Sequence, residues 1–217
     1  YQDLFPLLSL QQQQGKVLEL LGDERSDVQV FAVDRVTVML RDGHDTPEIQ
    51  EAVAVLLADP DPIIRRKVAG LLGELGYEGV ERIVLQRLDT EQDTEVLTRE
   101  LSYLGERQAA AAIPSARTLL GNPQVREQAA STLRSILLVD PEITQDERDK
   151  IAMAARENMD ASTRTSIAPL LVLIGNEEDL EQLDAMLDDP DPLVRTLIAE
   201  AFFQRGRHDS LLSRTND

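Results

Sequence analysis

The chain has 217 residues, of which 42% are hydrophobic and only 3% aromatic, so it can bury a substantial core built mainly from aliphatic side chains. Its 40 acidic residues against 22 Lys and Arg give a formal net charge of −18, which disfavours binding to nucleic acid or to anionic membrane surfaces. Cysteine is absent, which excludes disulfides, thiolate metal sites and cysteine nucleophiles. No apolar run reaches the roughly 18 residues that a membrane-spanning helix needs, so we expect no direct membrane insertion.

Three segments are predicted along the chain. Residues 1–15 are expected to form an N-terminal capping helix or the end of a preceding repeat. Residues 16–206 are predicted to form a repeat array, and residues 207–217 a C-terminal tail that continues into further chain. Because the sequence begins with Tyr1 rather than Met, we expect it to be a piece of a longer protein.

The array is most evident in two stretches of twenty residues that are nearly the same. They read LADPDPIIRRKVAGLLGELG at 57–76 and LDDPDPLVRTLIAEAFFQRG at 187–206, with eight identical positions. In the first copy, Pro60 cannot continue the preceding helix because it lacks the backbone N–H. Asp61 is predicted to be the N-cap of the next helix, and Pro62 fits the first helical position. Each stretch therefore predicts two helices joined by a short, stiff turn.

Weaker copies of the same layout occur elsewhere in the chain. We call the position that matches Arg65 in each copy the anchor of that repeat. The six anchors are residues 29, 65, 97, 126, 164 and 195, about 33 residues apart, which is the spacing of a helical repeat. Apolar residues recur at helical spacing on both sides of the anchors, and no segment alternates like a strand. We predict an all-α fold, a right-handed α-α superhelix of about six helix pairs. The second helices are predicted to begin near 27, 61, 93, 122, 160 and 191.

Repeats of this length, with a D-P-D-P-x-V-R turn between two helices and Leu-Gly at the end, resemble HEAT repeats. More narrowly, they resemble the HEAT-like repeats named after phycobilisome lyases, over about residues 16–206. The resemblance implies an α-solenoid in which an Asp of the turn and an Arg after it form a ladder between neighbouring repeats. Gln29 and Leu97 stand at the Arg position, so we expect irregular stacking there. The ladder residues implied by the resemblance are Asp23, Asp59, Arg65, Arg126, Arg164, Asp189 and Arg195.

The sequence offers little that points to catalysis. His44 and His208 are the only histidines, and neither has a second histidine or a cysteine near it in sequence. Asp59 and Asp61 lack the further oxygen ligands of a calcium loop, and we interpret them as helix-capping residues. No nucleophile elbow, phosphate-binding glycine loop or zinc signature is present. We predict no enzyme activity, no cofactor and no metal.

The predicted function is that of a non-catalytic protein–protein interaction scaffold or adaptor, with another protein as its partner. The alternative is a phycobilin-lyase-like subunit, or a regulatory domain of a larger enzyme or membrane protein. HEAT-like alkylpurine DNA glycosylases, which share the repeat, need a basic concave surface and aromatic side chains, and the charge of −18 argues against that chemistry. We expect a cytoplasmic location, with a periplasmic or membrane-tethered place as part of a longer chain left open.

The partner is predicted to dock on the second helices, which line the concave side of such an array. Residues one, two and five positions after an anchor lie away from the apolar stripe. Arg66, Lys67 and Arg99 are three cations on this ridge of an acidic chain, and they predict a partner with an acidic or phosphorylated segment. The alternative, that these residues are simply solvated, stays open. Phe31 and Phe203 are predicted to be outer apolar groups at the two ends. The candidate partner-binding residues are Arg66, Lys67, Arg99, Ser102, Glu127 and Gln128.

Overall fold

The computed structural model describes residues 5–76, 79–139 and 143–208. Over these ranges the chain forms twelve α-helices and no strand, so the prediction of an all-α fold of about six helix pairs is confirmed. The first helices of the pairs are α1 (Leu10–Leu21), α3 (Pro47–Val55), α5 (Gly79–Leu88), α7 (Ile113–Leu119), α9 (Gln145–Glu157) and α11 (Glu177–Asp184). The second helices are α2 (Ser26–Asp42), α4 (Pro62–Ala69), α6 (Thr94–Glu106), α8 (Arg126–Leu137), α10 (Arg164–Ile174) and α12 (Pro192–Gln204).

The Asp-Pro-Asp-Pro turns cap the helices that follow them. The Asp61 side chain accepts a hydrogen bond from the N–H of Ile63 at 2.9 Å, and Asp191 makes the same bond in the second copy, also at 2.9 Å. The Asp59 side chain in turn accepts the N–H of Asp61 at 2.8 Å, which tightens the turn. These bonds satisfy N–H groups that a helix start leaves without an intrahelical acceptor. The capping role expected for Asp61 is confirmed, whereas Asp59 acts within the turn by accepting the N–H of Asp61.

The chain divides into two compact units, residues 1–103 and residues 104–217, and the boundary falls within α6. In unit 1, α1 packs on α2 and α3, α2 packs on α4, and α3 packs on α5. In unit 2, α7 packs on α8 and α9, and α10 contacts α8, α9, α11 and α12. Because α10 has neighbours on so many sides, its sequence is apolar almost throughout, from Ile167 to Ile174.

The first end of the array is covered by the segment before α1. Phe5 is buried, and its ring meets that of Phe31 edge to face with centroids 5.9 Å apart. The Arg35 guanidinium lies over the same Phe31 ring at 5.5 Å. Phe31, predicted to be an outer apolar group at this end, is therefore half-buried, because the preceding 3-10 turn (Phe5–Leu7) supplies a cover.

The last helix pair is different. Phe203 on α12 is 63% exposed, and its ring meets the His208 ring at a centroid distance of 5.0 Å. The predicted tail falls outside the described residues from residue 209 onward. Among the helices that the structure describes, none is both long and apolar enough to cross a membrane.

Candidate functional site

The anchor arginine of the second repeat joins two turns of unit 1. Arg65 on α4 donates through Nη1 to the carbonyl of Asp59 at 2.8 Å, within its own repeat. Its Nε and Nη2 donate to the two carboxylate oxygens of Glu91 at 2.8 and 3.1 Å. Glu91 lies in the turn between α5 and α6, so this bidentate pair connects the second repeat to the third.

The anchor arginines of unit 2 lie in similar surroundings. Arg126 Nε donates to the carbonyl of Leu120 at 2.7 Å, and its Nη1 lies 3.9 Å from Asp160 of the next repeat. Arg164 Nε lies 3.2 Å from Asp189, again one repeat further on. In the last repeat, the anchor Arg195 donates through Nη1 to the backbone carbonyls of Asp189 and Pro190 at 2.7 and 3.2 Å.

The first repeat departs from this arrangement. Asp23 accepts two hydrogen bonds from the Arg25 guanidinium, at 2.9 and 3.0 Å, inside its own turn. These bonds lower the pKa of Asp23 to about 2. Gln29, at the anchor, donates to the carbonyl of Leu21 at 3.2 Å, which is the contact with its own turn that arginine makes elsewhere.

The three cations proposed as a docking site do lie together, but each has a carboxylate beside it. Arg66 pairs with Asp93 at 2.7 Å and lies 3.9 Å from Glu95, and Arg99 lies 3.7 Å from the same Glu95. Lys67 pairs with Asp34 of α2. These six side chains link α2, α4 and the start of α6, and we call them the surface network: Asp34, Arg66, Lys67, Asp93, Glu95 and Arg99.

The surface network removes the reason for expecting an acidic or phosphorylated partner. That prediction treated the cations as unpaired charges, whereas carboxylates from neighbouring helices neutralise them within the chain. Asp93 also caps α6, because its Oδ1 accepts the N–H groups of Glu95 and Val96 at 3.1 and 3.2 Å. The Arg66 hydrogen bond is the main cause that lowers the pKa of Asp93.

The other candidate residues are not part of this network. Ser102 is half-buried on α6. Glu127 is exposed and Gln128 is half-buried, and both lie on α8 in unit 2. Whether any of the six candidates contacts a partner stays a prediction.

A buried residue of α6 was not predicted from the sequence. Glu100 on α6 has no exposed surface, and neither carboxyl oxygen has a hydrogen-bond partner in the described structure. It stands three residues after the anchor, a position that is apolar and fully buried in every other repeat. The equivalent residues are Ala32, Val68, Ala129, Ile167 and Ile198.

Three charged groups lie near enough to Glu100 to influence it electrostatically. They are Glu91 in the α5–α6 turn, Arg87 on α5 and Arg65 on α4. Burial is the largest cause that raises the pKa of Glu100, and the charge of Glu91 raises it further, to about 8, despite the two arginines. At neutral pH the side chain is therefore mostly a neutral carboxylic acid.

Glu91 behaves in the opposite way although it is also buried. Burial raises its pKa, but hydrogen bonds from Arg65, from two backbone N–H groups and from Arg87 outweigh burial and leave the pKa of Glu91 below its ordinary value. The Arg87 bond is 3.0 Å long. Two neighbouring carboxyl groups therefore differ in charge at neutral pH, because one has its hydrogen-bond donors and the other has none.

Aligning the repeats on their anchors would have found Glu100 from sequence. In that alignment, the third repeat has leucine at position 97, where four repeats have arginine, and glutamate at position 100, where the others are apolar. Leu97 is buried, so in this repeat the apolar residue stands at the anchor and the charged residue type stands at the core position. The signal is an acidic residue at a repeat position that is otherwise apolar.

Within the described ranges, no group of three or more His, Cys, Asp or Glu side chains is arranged so that it could hold a metal ion. His44 is exposed in the turn before α3, and His208 is exposed after α12.

The chain is similar to the solved structure of human deoxyhypusine hydroxylase in complex with glycerol. The two are 16% identical, the match covers 99% of this chain and 93% of that chain, and the TM-score is 0.43. At this level the likeness transfers neither residue roles nor an activity. No protein-family model matches the chain, and no curated protein matches its sequence.

This comparison corrects two predictions. We predicted a non-catalytic scaffold or adaptor and, with it, a chain that is not an enzyme. The similar structure is that of a hydroxylase, which is an enzyme, so an all-helical chain of this kind does not imply the absence of catalysis. Both predictions, which rested on the absence of cysteine, of partnered histidines and of a recognisable active-site motif, were wrong. Both predictions are withdrawn.

Proposed function

We propose that the chain binds a segment of another protein on the exposed face of the second helices of unit 1. The observation that carries the proposal is the surface network, in which side chains of α2, α4 and α6 hold three positive and three negative charges in fixed pairs. Exposed ion pairs of this kind contribute only about 0–1 kcal/mol each to folding. The network therefore adds little to the stability of unit 1, but it holds six charged side chains in defined positions on the surface.

Exposed aliphatic side chains stand on the same helix faces as the network. Ile63 is 57% exposed and precedes Arg66 by one turn of α4, while Val38 is 42% exposed and follows Asp34 by one turn of α2. An apolar group beside oriented polar groups is the composition of many protein interfaces. The partner that fits this face is a segment with an apolar side chain and neighbouring charges of both signs.

A protein fits this face better than nucleic acid does. The network is neutral in sum within a chain of net charge −18, so it offers a phosphate backbone no net attraction. The cytoplasmic location stays a prediction.

We also propose that the repeats are of the HEAT-like type named after phycobilisome lyases. The proposal is supported by the two Asp-Pro-Asp-Pro turns and by the contacts between an anchor arginine and an acidic side chain of the next repeat, as in Arg65 with Glu91 and Arg164 with Asp189.

The docking face can be tested by site-specific photo-crosslinking in the cells from which the sequence comes. A photo-reactive amino acid replaces Ile63 on α4 in one variant and Val55 on α3 in the other. Val55 is a matched control because it is 56% exposed and aliphatic, in the same repeat but on the first helix. We expect one identified protein to be cross-linked from position 63 and not from position 55. Equal cross-linking from both positions would contradict the proposal.

The identified partner, once purified, allows the network itself to be measured. A charge contact at the rim of an interface contributes up to about 1 kcal/mol to binding, so the triple variant R66E/K67E/R99E, which reverses three such charges, should bind at least about tenfold more weakly. Arg82→Glu on α5 is a charge-reversal control at an exposed position outside the network. Unchanged affinity in a triple variant with native helix content would exclude the network from the interface.

A further inference from the structure

We propose that Glu100 is a proton-operated switch in unit 1: as the neutral acid it stays packed in the apolar column of α6, and as the carboxylate it draws Arg87 away from Glu91 and loosens the α5–α6 turn. The proposal is independent of any partner. It rests on a fully buried carboxyl group without hydrogen bonds, near enough to Glu91, Arg87 and Arg65 to be influenced by their charges.

The neutral form is the one that the surroundings accept. Neither oxygen of Glu100 receives a hydrogen bond, and the residues at the equivalent positions of the other repeats are apolar. An ionised carboxylate without donors is far more costly to bury than a neutral acid. Glu91, which carries a charge close by, adds repulsion to that cost.

The ionised form has one nearby donor that is not fully engaged. Arg65 uses Nη1 on its own turn and its other nitrogens on Glu91. Arg87 reaches Glu91 through Nη2 alone, while its buried Nε has no acceptor in the described structure. Loss of the proton from Glu100 to water therefore leaves Arg87 as the cation that can follow the new charge.

Such a movement would reach the turn between α5 and α6. Glu91 holds that turn to α4 through Arg65 and accepts the N–H groups of Gln92 and Asp93, both at 2.8 Å. Asp93 in turn caps α6 and pairs with Arg66 in the surface network. The ionisation of one buried side chain is thus transmitted to the start of α6 through residues 91–93.

The direction of the pH effect follows from linkage. The pKa of Glu100 is raised from its ordinary value of 4.5 to about 8 in the folded chain, so the folded state holds the proton more tightly than the unfolded state. Protonated Glu100 therefore stabilises the folded state fully when the pH is below the ordinary pKa. This stabilisation declines as the pH rises and is lost when the pH exceeds the pKa of the folded chain. Glu91, whose pKa is lowered, acts only at acidic pH, where it loses its stabilising effect as pH falls.

The test is urea denaturation of the whole chain between about pH 5 and about pH 8 at constant ionic strength. Glu100 alone should raise the unfolding equilibrium constant by up to about tenfold per pH unit across this range. Glu100→Gln, which stays neutral, should lack this component. Glu51→Gln on α3, an exposed position in the same unit, should keep the wild-type slope. Taking differences between variants cancels the contributions of all other groups in the chain.

A direct titration keeps the proposal testable even if Glu100→Gln does not fold. Carboxyl carbon NMR shifts of the wild-type chain should show one glutamate that ionises near neutral pH and that is assigned to residue 100. The Arg87 side-chain resonances should move with the same midpoint. Ionisation of Glu100 alongside the exposed glutamates, or the same pH slope in wild type and Glu100→Gln, would overturn the proposal.

Discussion

At the scale of single residues, the third repeat is apolar where most repeats are charged, and charged where the others are apolar. Its anchor is Leu97 where four repeats have arginine, and three residues later it has Glu100 where the other repeats have an apolar residue. An anchor arginine reaches out of the core to its own turn and to the next repeat, as Arg65 does. Leu97 instead lies buried, and three residues later a carboxyl group occupies an apolar column. A sequence that fits its fold at every other level usually breaks a local rule where a position has a second role. This exchange is the physical basis for assigning a proton-binding role to Glu100.

Gly175 gives a prediction that depends on packing alone. A Cβ at this position would lie 2.6 Å from the carbonyl oxygen of Leu171 and 2.7 Å from Asp179 Cβ, and the backbone oxygen cannot move aside cheaply. We expect Gly175→Ala to destabilise the chain by about 1–3 kcal/mol, measured by urea denaturation.

Gly15 is the matched control for that substitution. It lies within α1, and a Cβ there would meet nothing within 4 Å. Gly15→Ala should stabilise the chain by about 0.5–1 kcal/mol, because alanine loses less backbone entropy in a helix. Similar effects of the two substitutions would show that the close approach at Gly175 does not exist in solution.

At the scale of elements, the anchor arginines should differ in importance according to what they hold. Arg65→Met leaves Glu91, which is almost completely buried, with one guanidinium instead of two, and should cost about 3 kcal/mol. Arg195→Met removes only bonds to exposed turn carbonyls and should cost about 1 kcal/mol or less. Thermal and urea unfolding of the two variants measure this difference. Equal losses would mean that the arginines act only within their own turns.

The elements themselves were largely predictable from sequence because their signals are local. The proline and aspartate of each Asp-Pro-Asp-Pro turn act on residues within two or three positions, so Asp61 could be identified as a cap before its bond to Ile63 was seen. The helical spacing of apolar residues likewise reports which face of each helix is buried. The all-α fold and the helix pairs follow from such short-range rules.

The candidate site was less predictable because its partners lie far apart in sequence. Lys67 pairs with Asp34 at a separation of 33 residues, and Arg66 with Asp93 at 27. Spacing along one helix identified the cations but not the carboxylates that neighbouring helices place beside them. Glu100 was not predicted for a similar reason. Its protonation state depends on its burial and on the charge of Glu91 in the turn before its helix.

At the scale of the whole molecule, the features that suggest function are concentrated in unit 1. The surface network and the Glu100 cluster both belong to residues 1–103, and both depend on the turn between α5 and α6. Unit 2 has its own helix pairs and its own arginine contacts, as in Arg164 with Asp189. We therefore expect a change of pH in the neutral range to act on one part of the chain.

Hydrogen exchange followed by mass spectrometry tests this account most directly. Wild type and Glu100→Gln are compared at about pH 6 and about pH 8.5, after correction for the intrinsic exchange rate. We predict that residues 62–69 and 94–101 lose protection at the higher pH in wild type only, while residues 126–137 and 192–204 keep theirs in both proteins. An equal loss along the whole chain, or the same loss in Glu100→Gln, would contradict it.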